Sequence, residues 1–505
     1  MTAPLVATVL IAYFLVLILI AFLTSRNADS STFFTGNKQS PWYLVAFGMI
    51  GASLSGVTFI SVPGKVLTES MAYFQIVLGY VIGYLIIAKV LMPMYYKMNV
   101  VSIYEILLAR FGFFTYKTGA AFFILSRTLG SAIRLYLATF VLQLFLFEEL
   151  GVPYWVTAMT TVGLIWVYTF KGGIKTIVYT DTFQTFFLIT AVVLCTLTIA
   201  KSLDVDLFGL FSKITSTKTS AGYSMTKVFF FDDYKSTMYF PKQFFGGVFL
   251  AIAMTGLDQD LMQKNLTCKS IKDAQKNMYS FTAVLVIVNF LFLILGGALY
   301  VFAKEKGVLL PMSDGVVVTD HVFPTLALGN FGTIAGVFFL LGITASSYAS
   351  ADSALAALTT GFCIDFLNFS TKTEIQKKRT QLLVHIGFSL LFLIIILLTE
   401  VYIQNHKDSD LIGTILKIAS YTYGPLLGLF SFGILTNRVI IDKMSVVVCL
   451  IAPILCYFLA LNSVRWFDGY IFGYELLIVN GLFTFLGLFL ISSKNKLVIN
   501  ENNTL

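Results

Sequence analysis

Charge is what this chain has least of. Of its 505 residues 12% are charged and 57% are hydrophobic, about half the charged share of an ordinary soluble domain, and the mean hydropathy is +0.85. That excludes a water-soluble fold and predicts an all-α polytopic membrane protein. Cysteine and histidine are scarce too. Of five cysteines, Cys195, Cys363, Cys449 and Cys456 fall in apolar stretches and Cys268 in a basic loop, so no disulfide framework is set up. His321, His385 and His406 stand far apart, without zinc-ligand spacing. No G-x-x-x-x-G-K-[ST] loop occurs, which leaves ATP hydrolysis without its parts. No H-E-x-x-H, no G-x-S-x-G and no nucleophile and base pair occur either, so the reading is not an enzyme and no organic cofactor is expected.

What is abundant is apolar sequence long enough to cross a bilayer. Thirteen stretches are expected as helices, near 4–24, 41–63, 71–96, 117–147, 152–170, 176–200, 240–257, 278–303, 331–365, 380–400, 410–436, 444–461 and 469–492. The first has no basic residue before its apolar core and no small-residue cleavage site, and is read as a span, not a cleaved signal. Basic residues decide orientation. With the N-terminus outside and the C-terminus cytoplasmic, Arg26, Arg110, Lys117, Lys171, Lys264, the run Lys377-Lys378-Arg379, Arg438 and Lys496 fall on the cytoplasmic side of a cell membrane. The net charge of +8 is then mostly a topology signal, with the lipid bilayer as partner and neither nucleic acid nor an obligate protein partner indicated.

Three segments break the apolar pattern. The 41–63 stretch holds Gly51-Ala-Ser53-Leu54-Ser55-Gly56, and the 240–257 stretch holds Gly246-Gly247 and runs into Thr255-Gly256-Leu-Asp258-Gln259-Asp260. Glycine and serine weaken a helix where lipid contact favours leucine. Breaks at corresponding places in two halves point to an inverted-repeat transporter with a midplane site; close helix packing through small residues is the alternative. The third segment, Thr344-Ala-Ser-Ser-Tyr-Ala-Ser-Ala-Asp352-Ser353, puts a carboxylate among hydroxyls at membrane depth, a cost of a few kcal/mol that marks a cation or proton site.

Gly172-Gly-Ile-Lys-Thr176-Ile-Val-Tyr-Thr180-Asp181-Thr-Phe-Gln184 resembles the G-G-x-x-x-x-x-x-T-D-x-x-Q signature of the sodium:solute symporter family. Ser55-Gly-Val-Thr58-Phe59-Ile-Ser61-Val-Pro63, Ser102-Ile-Tyr104-Glu105 with Ala109-Arg110-Phe111, Gln259-Asp260-x-x-Gln263 and Tyr423-Gly-Pro425 agree with it. The resemblance implies a LeuT-type inverted repeat with about 13 transmembrane helices: an extra helix at 4–24, repeats at 41–200 and 240–436, and two trailing helices at 444–492. It implies a first sodium site of Gly51 and Leu54 carbonyls facing the Ser346 carbonyl and Ser350 hydroxyl. Ala349 stands where many members carry a further hydroxyl. It also implies a second cation or proton site at Asp181, Asp352 and Ser353. Asp181 and Gln184 equally have the spacing of a helix N-cap and its return partner.

Solute recognition is read from polar residues near the breaks. Arg127, Gly130 and Arg134 share one helical face, which suits an anionic solute; neutralising a structural carboxylate such as Asp352 is the alternative. Ser53, Ser55, Thr58, Tyr73, Gln75, Thr255, Gln259 and Lys417 complete the candidates. The expected function is sodium-coupled symport of a small organic solute, anionic or sugar-like, by alternating access. A sodium-responsive channel or sensor on the same fold is the alternative.

Overall fold

Glycine, serine and proline set where the helices of this chain bend. The computed structural model describes residues 3–26, 30–148, 150–170, 172–313, 315–367, 369–405 and 411–494; Lys171, His406 and Lys496 lie outside the described residues. Among the described residues the regular structure is helical apart from two short antiparallel strand pairs, Met312–Ser313 with Val316–Val317 and Val439–Ile440 with Ser492–Ser493.

Each of the thirteen expected stretches coincides with a helix or a bent pair of helices. Eight helices are long and apolar enough to cross a membrane, or eleven when each of three bent pairs counts as one span. Two expected spans fall short, Tyr154–Thr169 at 16 residues and Leu476–Leu490 at 15, so the count of thirteen crossings is not reached. The first bend, 60° between Trp42–Ser53 and Gly56–Gly64, forms at Leu54 and Ser55, whose dihedrals leave the helical region. The second, 64° between Phe240–Gly256 and Gln259–Leu266, follows a π-helical turn at Ile252–Gly256 and ends at Asp258, whose carboxylate accepts from the Asp260 backbone N–H. A third, 44° between Gly413–Thr422 and Gly424–Leu435, sits beside Pro425, which cannot continue the hydrogen-bond ladder.

The helix Gly332–Phe366 is the axis of the structure. Of its most apolar window 83% is buried inside the protein, against 22% for Asp442–Trp466. Its alanines and serines permit close approach by Phe113–Leu142, Gly173–Ser202 and both halves of the first broken helix. The polar 201–240 stretch folds over one end of the bundle and contains a ten-residue helix, Leu207–Ser216, with Ile214 buried at Gly297.

Candidate functional site

The first break meets the axial helix at glycine. A Cβ at Gly51 would lie 2.5 Å from the Thr185 hydroxyl and 3.6 Å from the Ala349 methyl, so the backbone can come this close without a side chain. The Gly51 N–H donates to Thr185 Oγ1 at 3.0 Å. The Leu54 N–H makes the last helical bond, to the Ile50 carbonyl at 2.8 Å. No hydrogen bond among the described residues reaches the carbonyls of Gly51 or Leu54. On the axial helix the Ser346 hydroxyl donates back to the Ile343 carbonyl at 3.1 Å, and the buried hydroxyls of Ser347 and Ser350 have no hydrogen-bond partner among the described residues. Unpaired backbone carbonyls at a helix break, on a helix packed against one with unpaired hydroxyls, are the kind of hard oxygen groups that an alkali cation takes. Ala349 adds no oxygen. Thr185 and Ser347 were not singled out in the sequence, although Thr185 directly follows Gln184 of the signature.

The second break is closed by the protein itself. Tyr95 donates its hydroxyl to the Gly256 carbonyl at 2.7 Å and Tyr104 to the Leu257 carbonyl at 2.9 Å. Tyr423 donates to the Asp258 carboxylate. Interrupted helices leave free carbonyls at the break; here tyrosine hydroxyls satisfy two of them at the second break.

Asp181, Asp352 and Ser353, read together as a second cation site, each have a separate partner. Lys264 Nζ lies 2.5 Å from Asp181 Oδ2, with the two side chains 1% and 0% exposed. Tyr168 donates its hydroxyl to Asp352 Oδ2 at 2.9 Å. Ser353 donates toward Asp260 Oδ2 at 3.2 Å and the Ala349 carbonyl at 3.0 Å. Two expectations change. Lys264 is a buried counter-charge, not a cytoplasmic loop residue, and Asp181 lies well inside the helix that begins at Gly173, which excludes the N-cap role.

Beside the first break lies a cavity of about 80 Å³. Ser53, Ser55, Thr58, Tyr73, Arg127, Arg134 and Thr255 line it, joined by Tyr80, Tyr84 and Asn289. Asn289 had a legible signal, a lone amide in the apolar run Val286–Leu293; Tyr73, Tyr80 and Tyr84 recur at helical spacing. Arg127 is tied to the Asp260 carboxylate and stands 3.9 Å from Asp258, so its partner is Asp260, not Asp352. Arg134 has no ion pair or hydrogen bond among the described residues.

Three expected lining residues are placed elsewhere. Gln75 donates to the Met238 carbonyl at 3.0 Å and accepts from the Phe230 N–H at 3.3 Å, pinning the 201–240 stretch to the bundle. Gln259 accepts from the Ile103 N–H at 2.9 Å and donates to the Val101 carbonyl at 2.7 Å. Lys417 is exposed, on the outward face of Leu411–Thr422. Phe59 is core, packed against Phe292, Phe323 and Phe339.

Helices bent within apolar spans, with a cavity beside the first break, are the pattern of a multi-pass membrane carrier. The chain belongs to the sodium:solute symporter family, whose sequence model matches residues 33–442, and it is a sodium-coupled symporter. It is 24% identical over 439 residues to the sodium/sialic acid symporter of Proteus mirabilis (strain HI4320), covering 85% of this chain and 84% of that one. It is 24% identical over 420 residues to the sodium-coupled monocarboxylate transporter 2 of Homo sapiens, covering 81% of this chain and 64% of that one. The solved substrate-bound, outward-open structure of a Na+-coupled sialic acid symporter superposes with a TM-score of 0.80 at 21% identity, over 96% of this chain and 97% of that chain. The fold is LeuT-type.

Proposed function

We propose that this chain imports a small carboxylated solute with sodium, by alternating access around the first break. The observation that carries the reading is Arg134. A guanidinium lining the cavity, with no ion pair or hydrogen bond among the described residues, offers a forked donor for a solute carboxylate. Ser53, Thr58, Tyr73 and Thr255 provide neutral hydrogen-bonding groups nearby. The cavity, about 80 Å³, is roughly half an engineered 150 Å³ cavity that holds benzene, which favours a solute of few heavy atoms. Two relatives carry carboxylated solutes in their names, sialic acid and monocarboxylates.

Sodium held between the Gly51 and Leu54 carbonyls and the Ser346 and Ser350 oxygens would fix the broken helix against the axial helix and order the cavity beside it. Each ion moving inward contributes about 2.3 kcal/mol per 100 mV of membrane potential. The bends at the first and second breaks support inverted repeats at 41–200 and 240–436, and the bias of lysine and arginine among the loops supports an N-terminus outside. Transport without catalysis is the reading that the family supports. A channel or sensor has no supporting observation.

Uptake into proteoliposomes under an inward sodium gradient tests the proposal, with short carboxylates, sialic acids, neutral sugars and amino acids compared side by side. Sodium-dependent accumulation of a short carboxylate is expected. Accumulation confined to uncharged solutes, or uptake indifferent to sodium, overturns it.

A further inference from the structure

We infer that a chamber left open by Gly130 receives a methyl-sized branch on the carbon next to the solute's carboxylate, so that this carrier selects α-branched short carboxylates over straight-chain ones. The inference rests on the carboxylate reading above and adds a specificity-determining residue to it.

Gly130 stands inside the helix Phe113–Leu142, on the face of Arg127 and Arg134. Glycine within a helix costs stability relative to alanine, and neither usual reason for accepting it applies here. Its φ is not positive. Nothing crowds it either: beyond its own helix backbone and chain neighbours, a Cβ there would meet no heavy atom within 4 Å, whereas at Gly119 on the same helix a Cβ would lie 2.5 Å from Leu107 Cδ1. Two other glycines inside helices, Gly163 and Gly387, have the same open space, but both are exposed. Gly130 opens instead into a chamber of about 10 Å³, roughly one water-sized sphere. Arg127, Arg134, Met254 and Ile415 line both this chamber and the larger cavity, so the chamber adjoins the guanidinium proposed to hold the solute carboxylate. Met254, Ile415, Ile418 and Ala419 give it an apolar lining. The hydroxyls that border it are engaged: Ser126 donates to the Phe122 carbonyl at 2.6 Å, and Tyr423 to the Asp258 carboxylate. A small hydrocarbon group is the occupant this surface fits, and the open Cβ position shows that a methyl carbon has room. The Arg127 Nε–H is buried without a partner among the described residues, which makes an ordered water the competing occupant.

The test compares two isomers. Adding a methyl to propionate at the α carbon gives isobutyrate and adding it at the chain end gives butyrate, so the pair has equal carbon and differs in where the methyl sits. Sodium-dependent uptake of all three by the full chain in proteoliposomes is expected to half-saturate at an isobutyrate concentration about four- to tenfold below that for butyrate, the worth of one well-buried methyl. Gly130→Ala puts the protein's own methyl into the chamber. It is expected to bring that ratio to about one while raising the thermal unfolding midpoint, because alanine is the better helix former. Ile418→Val removes a methyl from the chamber lining and is expected to improve α-methylbutyrate relative to isobutyrate. A wild-type ratio near one overturns the inference, as does a folded Gly130→Ala protein that keeps the wild-type ratio. Equal loss of all three carboxylates in Gly130→Ala also overturns it and gives the chamber to a water. If wild type takes up none of the three, the carboxylate assignment falls and this inference with it; if propionate is taken up and the isomer ratio does not respond to Gly130→Ala, only this inference falls.

Discussion

Arg127 and Arg134 lie on one face of the helix Phe113–Leu142, and the protein pairs the first while leaving the second to the cavity. Arg127 is tied to Asp260. Arg134 lines the cavity with no partner among the described residues. Two arginines that look alike in sequence therefore have opposite expected phenotypes.

Arg134→Gln is expected to raise the half-saturating concentration of a carboxylate solute about 10- to 100-fold, the equivalent of roughly 1.5–3 kcal/mol for a hydrogen bond to a charged group. Sodium binding measured without solute should be unchanged. Equal losses for carboxylates and neutral analogues would show that Arg134 supports the helix and does not read the solute.

Arg127→Ala is expected to act on folding. Removing it leaves Asp258 and Asp260 buried without their cation, a loss of about 3–5 kcal/mol for a broken buried pair. The thermal unfolding midpoint in detergent should fall, and adding Asp260→Asn should recover part of it. A normally stable Arg127→Ala protein that no longer binds solute would instead place Arg127 in solute recognition.

Ala349→Ser is expected to tighten sodium binding. Ala349 sits against Gly51 in the cleft, where a hydroxyl would add an oxygen ligand; a gain near 1 kcal/mol corresponds to roughly a fivefold lower half-saturating sodium concentration. Gly51→Ala should act the other way, since its Cβ would lie 2.5 Å from Thr185 Oγ1. Sodium titrations of solute uptake measure both, and an unchanged sodium dependence in both variants would move the ion away from this cleft.

Gln75→Leu and Lys417→Gln separate polar residues that hold the fold from those that face solute. Gln75→Leu leaves the Phe230 N–H and the Met238 carbonyl unpaired, expected to cost about 1–3 kcal/mol of stability, with solute affinity retained. Lys417→Gln should alter neither stability nor affinity. A selective loss of solute affinity in either variant would return that residue to the cavity.

The breaks were legible because glycine and serine are poor choices for a helix in lipid, so Gly51 to Gly56 and Thr255 to Asp260 stood out. Asp352 was legible for a similar reason, the cost of a carboxylate at membrane depth. The third bend has its signal in Gly424-Pro425, a pair that also belongs to the family motif. Partners were much less legible. Lys264 looked like a loop charge because its carboxylate is 83 positions away in the chain. Gln75 and Gln259 looked like solute ligands because a buried amide that pins a backbone segment has the same local signature as one that faces a cavity.

Local sequence is enough to specify a multi-pass helical protein, the positions of its two main interruptions and the polarity of the axial helix. Those follow from local terms, the transfer of apolar side chains out of water and the helix cost of glycine and serine. Tertiary structure decided which polar groups are paired: Lys264 with Asp181, Arg127 with Asp260, tyrosines on the second break, and Arg134 left facing the cavity. Pairing inside a bundle depends on distances between helices far apart in the chain, and a buried charge is settled by whichever opposite charge or hydrogen-bond partner folding brings within a few ångströms.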